Sequence, residues 1–260
     1  MNDLRWVRVE STGTWVRTLV LDRPPVNALG RELVDDLTVA LGRLRRDDEA
    51  RCLVVRTAGP HFSAGADLKE RREMTLDEVR RFVPRIAAVC NALADLPFPT
   101  IAAVRGAAAG GGCEVALACD LRVLASDAKI GLRETALAIL PGAGGTQRLP
   151  RLIGTARAKR WIFSARLHGA DEALADGVAD RVVPDDRLDA ETLELAETIA
   201  SNGPLAVRLA KQAIDGGVAL PLDRALELEW ECYVRTLATE DRAEALQAFA
   251  EKRPPRFHGR

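Results

Sequence analysis

The sequence predicts an α/β fold with parallel strand pairing. Strand and helix signals alternate through the first two-thirds of the chain, which argues for strands covered by the helices that connect them. The strand segments are short, and several come in pairs before each helix. That spacing fits a spiral of stacked ββα units at least as well as a doubly wound open sheet. With 260 residues, 47% of them hydrophobic and 29% charged, the chain is long enough to bury a large core without disulfide or metal support.

Taken in order, Trp6–Glu10 and Trp15–Asp22 read as strands joined by the polar turn 11–14. Arg31–Arg46 reads as a helix with Leu33, Leu37, Leu41 and Leu44 on one face. Cys52–Thr57 is a strand, followed by a small-residue loop over 58–66. Thr75–Leu96 is a long helix stopped by Pro97 and Pro99. Thr100–Arg105 reads as a strand, 106–112 as a loop, Gly112–Cys119 as a helix and Leu121–Ala125 as a strand. After Pro184 the character changes to helices at 186–201, 204–214, 222–236 and 240–252, punctuated by Asn202-Gly203-Pro204 and Gly216-Gly217. Leu222, Leu226, Trp230, Tyr233 and Leu237 form an apolar stripe that must pack on the main domain, on a partner subunit or on both. We therefore divide the chain into an α/β core, residues 1–200, and a helical oligomerisation region, residues 201–260.

Lys plus Arg number 37 against 38 Asp plus Glu, and aromatics are 4%. Neither the basic excess nor the stacking residues of a nucleic-acid binder are present. The five cysteines form no CxxC pair and read as buried, reduced thiols of a cytoplasmic protein. Asp3, Arg5, Arg8 and Glu10 argue against a secretory signal. Arg105, Glu114, Asp120 and Arg122 interrupt the most apolar stretch, 101–125, so no membrane partner is expected. His61, His168 and His258 lack ligand spacing, so no metal is expected. No Walker A lysine, dinucleotide fingerprint or nucleophile elbow occurs.

Three segments carry chemistry. The first is His61-Phe62-Ser63-Ala64-Gly65-Ala66-Asp67-Leu68-Lys69-Glu70. Its small residues let another group approach the backbone, although a plain strand-to-helix turn capped by Asp67 or Ser63 reads the same way. The second is Ala107-Ala-Ala-Gly110-Gly111-Gly112-Cys113-Glu114. Three glycines opening an apolar helix expose unpaired N–H groups at its positive end, the physical recipe for an oxyanion hole. Glu114 falls in the first turn beside that oxygen, where it also simply complements the helix dipole. The third runs from Gly131-Leu-Arg-Glu134 to Pro141-Gly142-Ala143-Gly144-Gly145-Thr146-Gln147-Arg148. A second glutamate precedes a glycine-rich turn, which reads alternatively as a phosphate nest.

Together these segments, with Leu21-Asp-Arg23-Pro and Asn27-Ala-Leu, resemble the crotonase superfamily, and specifically the enoyl-CoA hydratases. The resemblance covers essentially the whole chain. Phe163-Ser-Ala-Arg and Glu251-Lys-Arg-Pro-Pro-Arg-Phe are similar to the methylglutaconyl-CoA hydratases, including the AU-rich-RNA-binding type. The resemblance implies a crotonase-like spiral and an acyl-CoA thioester partner, with coenzyme A part of the substrate and no separate cofactor. It implies a homotrimer or dimer of trimers. By residue, it makes the N–H groups of Ala66 and Gly111 the oxyanion hole, Glu114 and Glu134 the catalytic pair, and Ala64, Asp67, Leu68, Lys69 and Gly110 substrate-binding. Arg23, Phe249 and Lys252 match coenzyme A contacts. Which glutamate is the base stays open at this point, as does the acyl chain; Arg133 and Arg72 are the candidate cations for a distal carboxylate. Where the RNA-binding relatives carry a lysine comb, this chain reads Arg31, Asp35 and Val39, with Asp36 adding negative charge, so no nucleic-acid partner is expected.

Overall fold

A computed structural model describes residues 4–260; Asp3 lies outside the described residues. The chain opens with a hairpin, β1 (Val7–Thr12) and β2 (Val16–Leu21), then helix α1 (Arg31–Leu44) and strand β3 (Cys52–Thr57). Short helix α2 (Leu68–Glu73) and long helix α3 (Leu76–Ala94) follow, then β4 (Thr100–Val104), β5 (Ala107–Ala109) and α4 (Gly111–Ala118). Next come β6 (Leu121–Ala125), β7 (Lys129–Gly131), a 3-10 turn (Glu134–Leu137), α5 (Gly145–Ile153) and α6 (Thr155–Ser164). The remainder is β8 (His168–Gly169), α7 (Ala170–Asp176), β9 (Arg181–Val183), α8 (Leu188–Ala200), α9 (Pro204–Gly217), α10 (Leu222–Val234) and α11 (Glu240–Glu251).

The strands form two sheets. One has the order β1-β2-β3-β4-β6-β9, antiparallel at β1–β2 and parallel thereafter; the other has the order β5-β7-β8. β4 enters the large sheet, β5 immediately enters the small one, and α4 follows; β6 and β7 repeat the step. Isolated parallel bridges Ser63↔Ala108 and Leu29↔Ala66 carry the second layer back to the earlier turns of the chain. This is the stacked ββα spiral, and it excludes the doubly wound open sheet, in which successive strands would share one sheet.

Local chemistry explains the boundaries. Thr75 and Glu78 make a reciprocal capping box at the start of α3. Leu33, Val34, Leu37, Ala40, Leu41 and Leu44 of α1 are buried together in the core. Strands β3 and β6 occupy the expected residues. The loop expected at 106–112 instead contains β5, whose three alanines are too few to show a period of two. α2 starts at the Asp67 cap of the strand-to-helix reading, the carboxylate accepting from the N–H groups of Lys69 and Glu70; only its end at Glu73 had no signal.

α8 packs on β3, β4 and β6, whereas α9 and α10 pack chiefly on each other. Of the α10 stripe, Leu222, Leu226, Trp230 and Tyr233 are all more than half exposed, so the stripe does not pack on this chain's own core. All five cysteines are free and buried; burial pushes the Cys52 and Cys90 thiols up to about 12. Among the described residues no helix is long and apolar enough to cross a membrane.

Candidate active site

The turn at Gly65–Ala66 and the start of α4 face each other. In the parallel bridge between Leu29 and Ala66, Leu29 makes both hydrogen bonds: its N–H donates to the Gly65 carbonyl (2.7 Å) and its carbonyl accepts from Asp67 N–H (3.4 Å). That pattern turns the N–H of Ala66 away from Leu29. A Cβ on Gly111 would lie 3.7 Å from the Ala66 nitrogen, and one on Gly65 would lie 2.9 Å from the Gly111 nitrogen. The two nitrogens therefore belong to one small space. Gly111 is the first residue of α4, where the N–H has no intrahelical acceptor. Neither N–H has an acceptor among the described residues.

Glycine is required here by geometry. Gly65 has φ +84°, and a Cβ on it would sit 2.5 Å from the Ala109 carbonyl oxygen. Gly110 has φ +54°, and its Cβ would meet Glu134 Oε1 at 3.0 Å. The bare Gly110 backbone thus makes room for the second carboxyl group.

Both glutamates are buried, Glu114 at 3% and Glu134 at 9% exposure. Glu114 Oε1 accepts from the N–H groups of Ala143 (2.7 Å) and Gly145 (2.8 Å). The turn that could have been a phosphate nest instead holds this carboxylate. Arg148 fixes the turn, donating to the Ala143 carbonyl (3.1 Å) and to Asn91 Oδ1 (2.7 Å). Glu134 differs: its Oε2 is buried with no hydrogen-bond partner.

Their protonation follows from these surroundings. Burial raises the Glu114 pKa, while the N–H groups of Gly145 and Ala143 and the Arg148 charge oppose that rise. Burial, and then the charge of Glu114, lift Glu134 to about 7. Two interacting carboxyls in a low-dielectric site resist double ionisation, and the less supported one keeps the proton. Near neutrality Glu114 is the better-supported carboxylate and Glu134 the better proton holder.

The other expected residues divide. Gly110 lies between the N–H pair and Glu134. Ala64, Leu68 and Lys69 are exposed on the segment that carries Ala66. The Asp67 carboxylate caps α2 and pairs with Arg23 at 2.8 Å. The Arg23 guanidinium also donates to Glu70 (3.2 Å) and to the Ala28 carbonyl (2.7 Å). Phe249 and Lys252 stand at the end of α11; Phe249 is 86% exposed and the Lys252 side chain has no partner among the described residues. Within this protomer neither is hydrogen-bonded to a residue of the glutamate site.

Sequence reasoning did not identify the Ala143 and Gly145 N–H groups or Arg148 as holders of Glu114. It also did not identify Asn27 as the organiser of the first turn. The Asn27 side chain, at φ +49°, donates to Thr57 Oγ1 (2.7 Å), the His61 carbonyl (3.0 Å) and the Phe62 carbonyl (3.1 Å). The Gly-Ala-Gly-Gly run was the available signal for the first of these; Asn27-Ala-Leu entered only through the family resemblance, with no structural role attached to the Asn.

Comparison with known proteins agrees with this geometry. A family model described as enoyl-CoA hydratase/isomerase matches residues 12–260. The chain is 50% identical over 238 residues to the mitochondrial methylglutaconyl-CoA hydratase of Rattus norvegicus, covering 90% of this chain and 76% of that protein. It is 43% identical over 254 residues to a probable mitochondrial enoyl-CoA hydratase 2 of Arabidopsis thaliana, covering 97% and 84%. The crystal structure of an enoyl-CoA hydratase from Bacillus anthracis superimposes with a TM-score of 0.97 at 44% identity, covering 98% of this chain and 100% of that one. The chain belongs to the enoyl-CoA hydratase/isomerase family.

Proposed function

We propose that the protein hydrates an α,β-unsaturated acyl-CoA thioester, with Glu114 as base and Glu134 as proton donor. The observation that carries this reading is the pairing of two N–H groups that have no acceptor among the described residues with two buried carboxyls, one held by two backbone N–H groups and the other with an oxygen that has no hydrogen-bond partner. The thioester oxygen accepts from Ala66 N–H and Gly111 N–H. Glu114 takes a proton from water as the water oxygen bonds to the β-carbon. The double-bond electrons move toward the thioester oxygen as an enolate, where the two donors meet the developing charge. Glu134 then delivers its proton to the α-carbon. One water has been added, and the pair's single proton has moved from Glu134 to Glu114. A chemistry of this kind needs no metal or separate cofactor, because backbone dipoles stabilise the enolate.

Coenzyme A forms the non-reacting part of the substrate. The exposed Phe249 ring and Lys252, which has no partner among the described residues, support a role in gripping its adenine and phosphates from a neighbouring subunit. The bare apolar stripe on α10 supports association of the helical region, residues 201–260, into a trimer or dimer of trimers. Five buried free thiols support a reducing compartment, and the cytoplasm is our reading, although the mammalian and plant relatives above are named mitochondrial.

A second reading, 3-methylglutaconyl-CoA as the substrate, rests on the 50% identity to the rat enzyme. Steady-state hydration of crotonyl-CoA and 3-methylglutaconyl-CoA, side by side with product identification, tests both. Conversion to the 3-hydroxyacyl product is expected; double-bond migration without hydration would replace this reading with an isomerase.

A further inference from the structure

The two glutamates are held by different means. Two backbone N–H groups, from Ala143 and Gly145, fix Glu114 Oε1. Glu134 Oε2 has no hydrogen-bond partner. The position of that carboxyl therefore depends on where the backbone places residue 134.

The backbone is fastened before Glu134 and bare after it. On the near side, β7 pairs with β8 through Ile130 and His168. At Gly131 the chain runs so close to the exit of α6 that a Cβ would lie 2.4 Å from the Arg166 carbonyl oxygen. On the far side, residues 136–140 are all exposed. Ala138 in that stretch takes φ +56°, a left-handed conformation that a non-glycine residue holds only where its surroundings impose it. The backbone bonds of the 3-10 turn stay within it: Ala136 N–H donates to the Arg133 carbonyl and Ile139 N–H to the Glu134 carbonyl, both at 3.2 Å.

Thr135 supplies the missing tie. Its hydroxyl donates to the Ile162 carbonyl at 2.7 Å, and among the described residues no other side chain from 134–140 hydrogen-bonds to another element. Ile162 lies in the last turn of α6, where carbonyls lack intrahelical partners. The anchor itself is rigid. Trp161, next to Ile162, is fully buried, donates to Asp176 Oδ2 at 2.6 Å and stacks on the His168 ring with centroids 3.8 Å apart. His168 is the same residue that pairs with Ile130. Both ends of the Glu134 segment are thus fastened to one stretch of chain, 161–168, and the Thr135 hydroxyl makes the second fastening.

We infer that Thr135 is a positioning residue for the proton donor: its hydrogen bond to the end of α6 holds the Glu134 carboxyl against the bare Gly110 backbone. The inference rests on the hydratase reading and adds a residue to it. Proton transfer depends on alignment, and a displacement of about 1 Å can cost on the order of a hundredfold. Thioester binding does not pass through this turn, so the loss falls on kcat rather than on KM.

The test is kcat and KM of wild type, Thr135→Val, Thr135→Ser, Glu134→Gln and the variant carrying both Glu134→Gln and Thr135→Val. The substrate is whichever of crotonyl-CoA and 3-methylglutaconyl-CoA the wild type hydrates faster. Val keeps the shape of Thr without its donor, and Ser keeps the donor. Thr135→Val is expected to lower kcat roughly ten- to a hundredfold with KM little changed, and Thr135→Ser to retain most of the wild-type rate. In the Glu134→Gln background, Thr135→Val should cost almost nothing further, because a residue that acts through another is not additive with it. An unchanged kcat in Thr135→Val, equal losses in Val and Ser, or the full Thr135→Val loss persisting beside Glu134→Gln would each overturn the inference and leave the hydratase reading standing. A wild type that hydrates neither thioester would remove both.

Discussion

Replacing Glu134 by Gln should make the protein more stable above neutral pH while stopping its chemistry. In the unfolded chain this carboxyl titrates near 4.5, and in the fold it is lifted to about 7 by burial and then by Glu114. The folded state therefore binds the proton more tightly. Its contribution is fully present below the unfolded value and is lost as pH rises through the folded one. Lifting a carboxyl from 4.5 to about 7 corresponds to roughly 3 kcal/mol. Above pH 7 the wild type carries a charge on a carboxyl whose Oε2 has no hydrogen-bond partner. The amide removes that charge and nearly preserves the shape. For a chain of this size ~3 kcal/mol is about 6–12 °C in Tm. Thermal unfolding of wild type and Glu134→Gln, followed by circular dichroism at pH 5 and pH 8, reads it. The Tm gap should open in favour of Gln as pH rises. A gap that does not change between pH 5 and pH 8, or that closes, would refute the placement of the shared proton on Glu134.

Other outcomes follow from neighbouring residues. Gly65→Ala forces a side chain into a φ of +84° and against the Ala109 carbonyl, so steady-state kcat should fall by about 10²–10³, the usual cost of a lost oxyanion donor. Arg148→Met removes the charge that holds the Glu114 pKa down; the acidic limb of the kcat/KM profile should move to higher pH, and an unmoved limb would mean that Glu114 is not the base. The face of α1 pairs Arg31 with Glu78 and Asp35 with Arg85. A gel-shift titration at about 150 mM salt should therefore show no sequence-selective binding of AU-rich RNA; sub-micromolar selective binding would contradict this.

Much of the fold was legible because its signals are local. Leucines at helical spacing mark α1, β-branched runs mark β3, and Thr75 with Glu78 marks the start of α3. The α/β layering followed from alternation alone. β5 and the extent of α2 were not legible, because three alanines and a six-residue polar helix have no periodicity of their own. They exist through pairing with β7 and through the Asp67 cap.

The site divides along the same line. The glycine run before Glu114 is a local signal for exposed N–H groups. The holders of Glu114 lie 29 and 31 residues further on, and only the tertiary fold brings them to it.

The most direct measurement is hydration of crotonyl-CoA, followed by loss of the conjugated thioester absorbance, for wild type, Glu114→Gln, Glu134→Gln and the double variant. General acids and bases each contribute about 10²–10⁴, so each single variant should lose at least two orders of magnitude in kcat with little change in ligand affinity. Because the two carboxyls pass one proton between them, the double variant should fall little further than the worse single one. Near-wild-type kcat in either single variant, or losses that simply multiply in the double, would contradict a shared-proton pair.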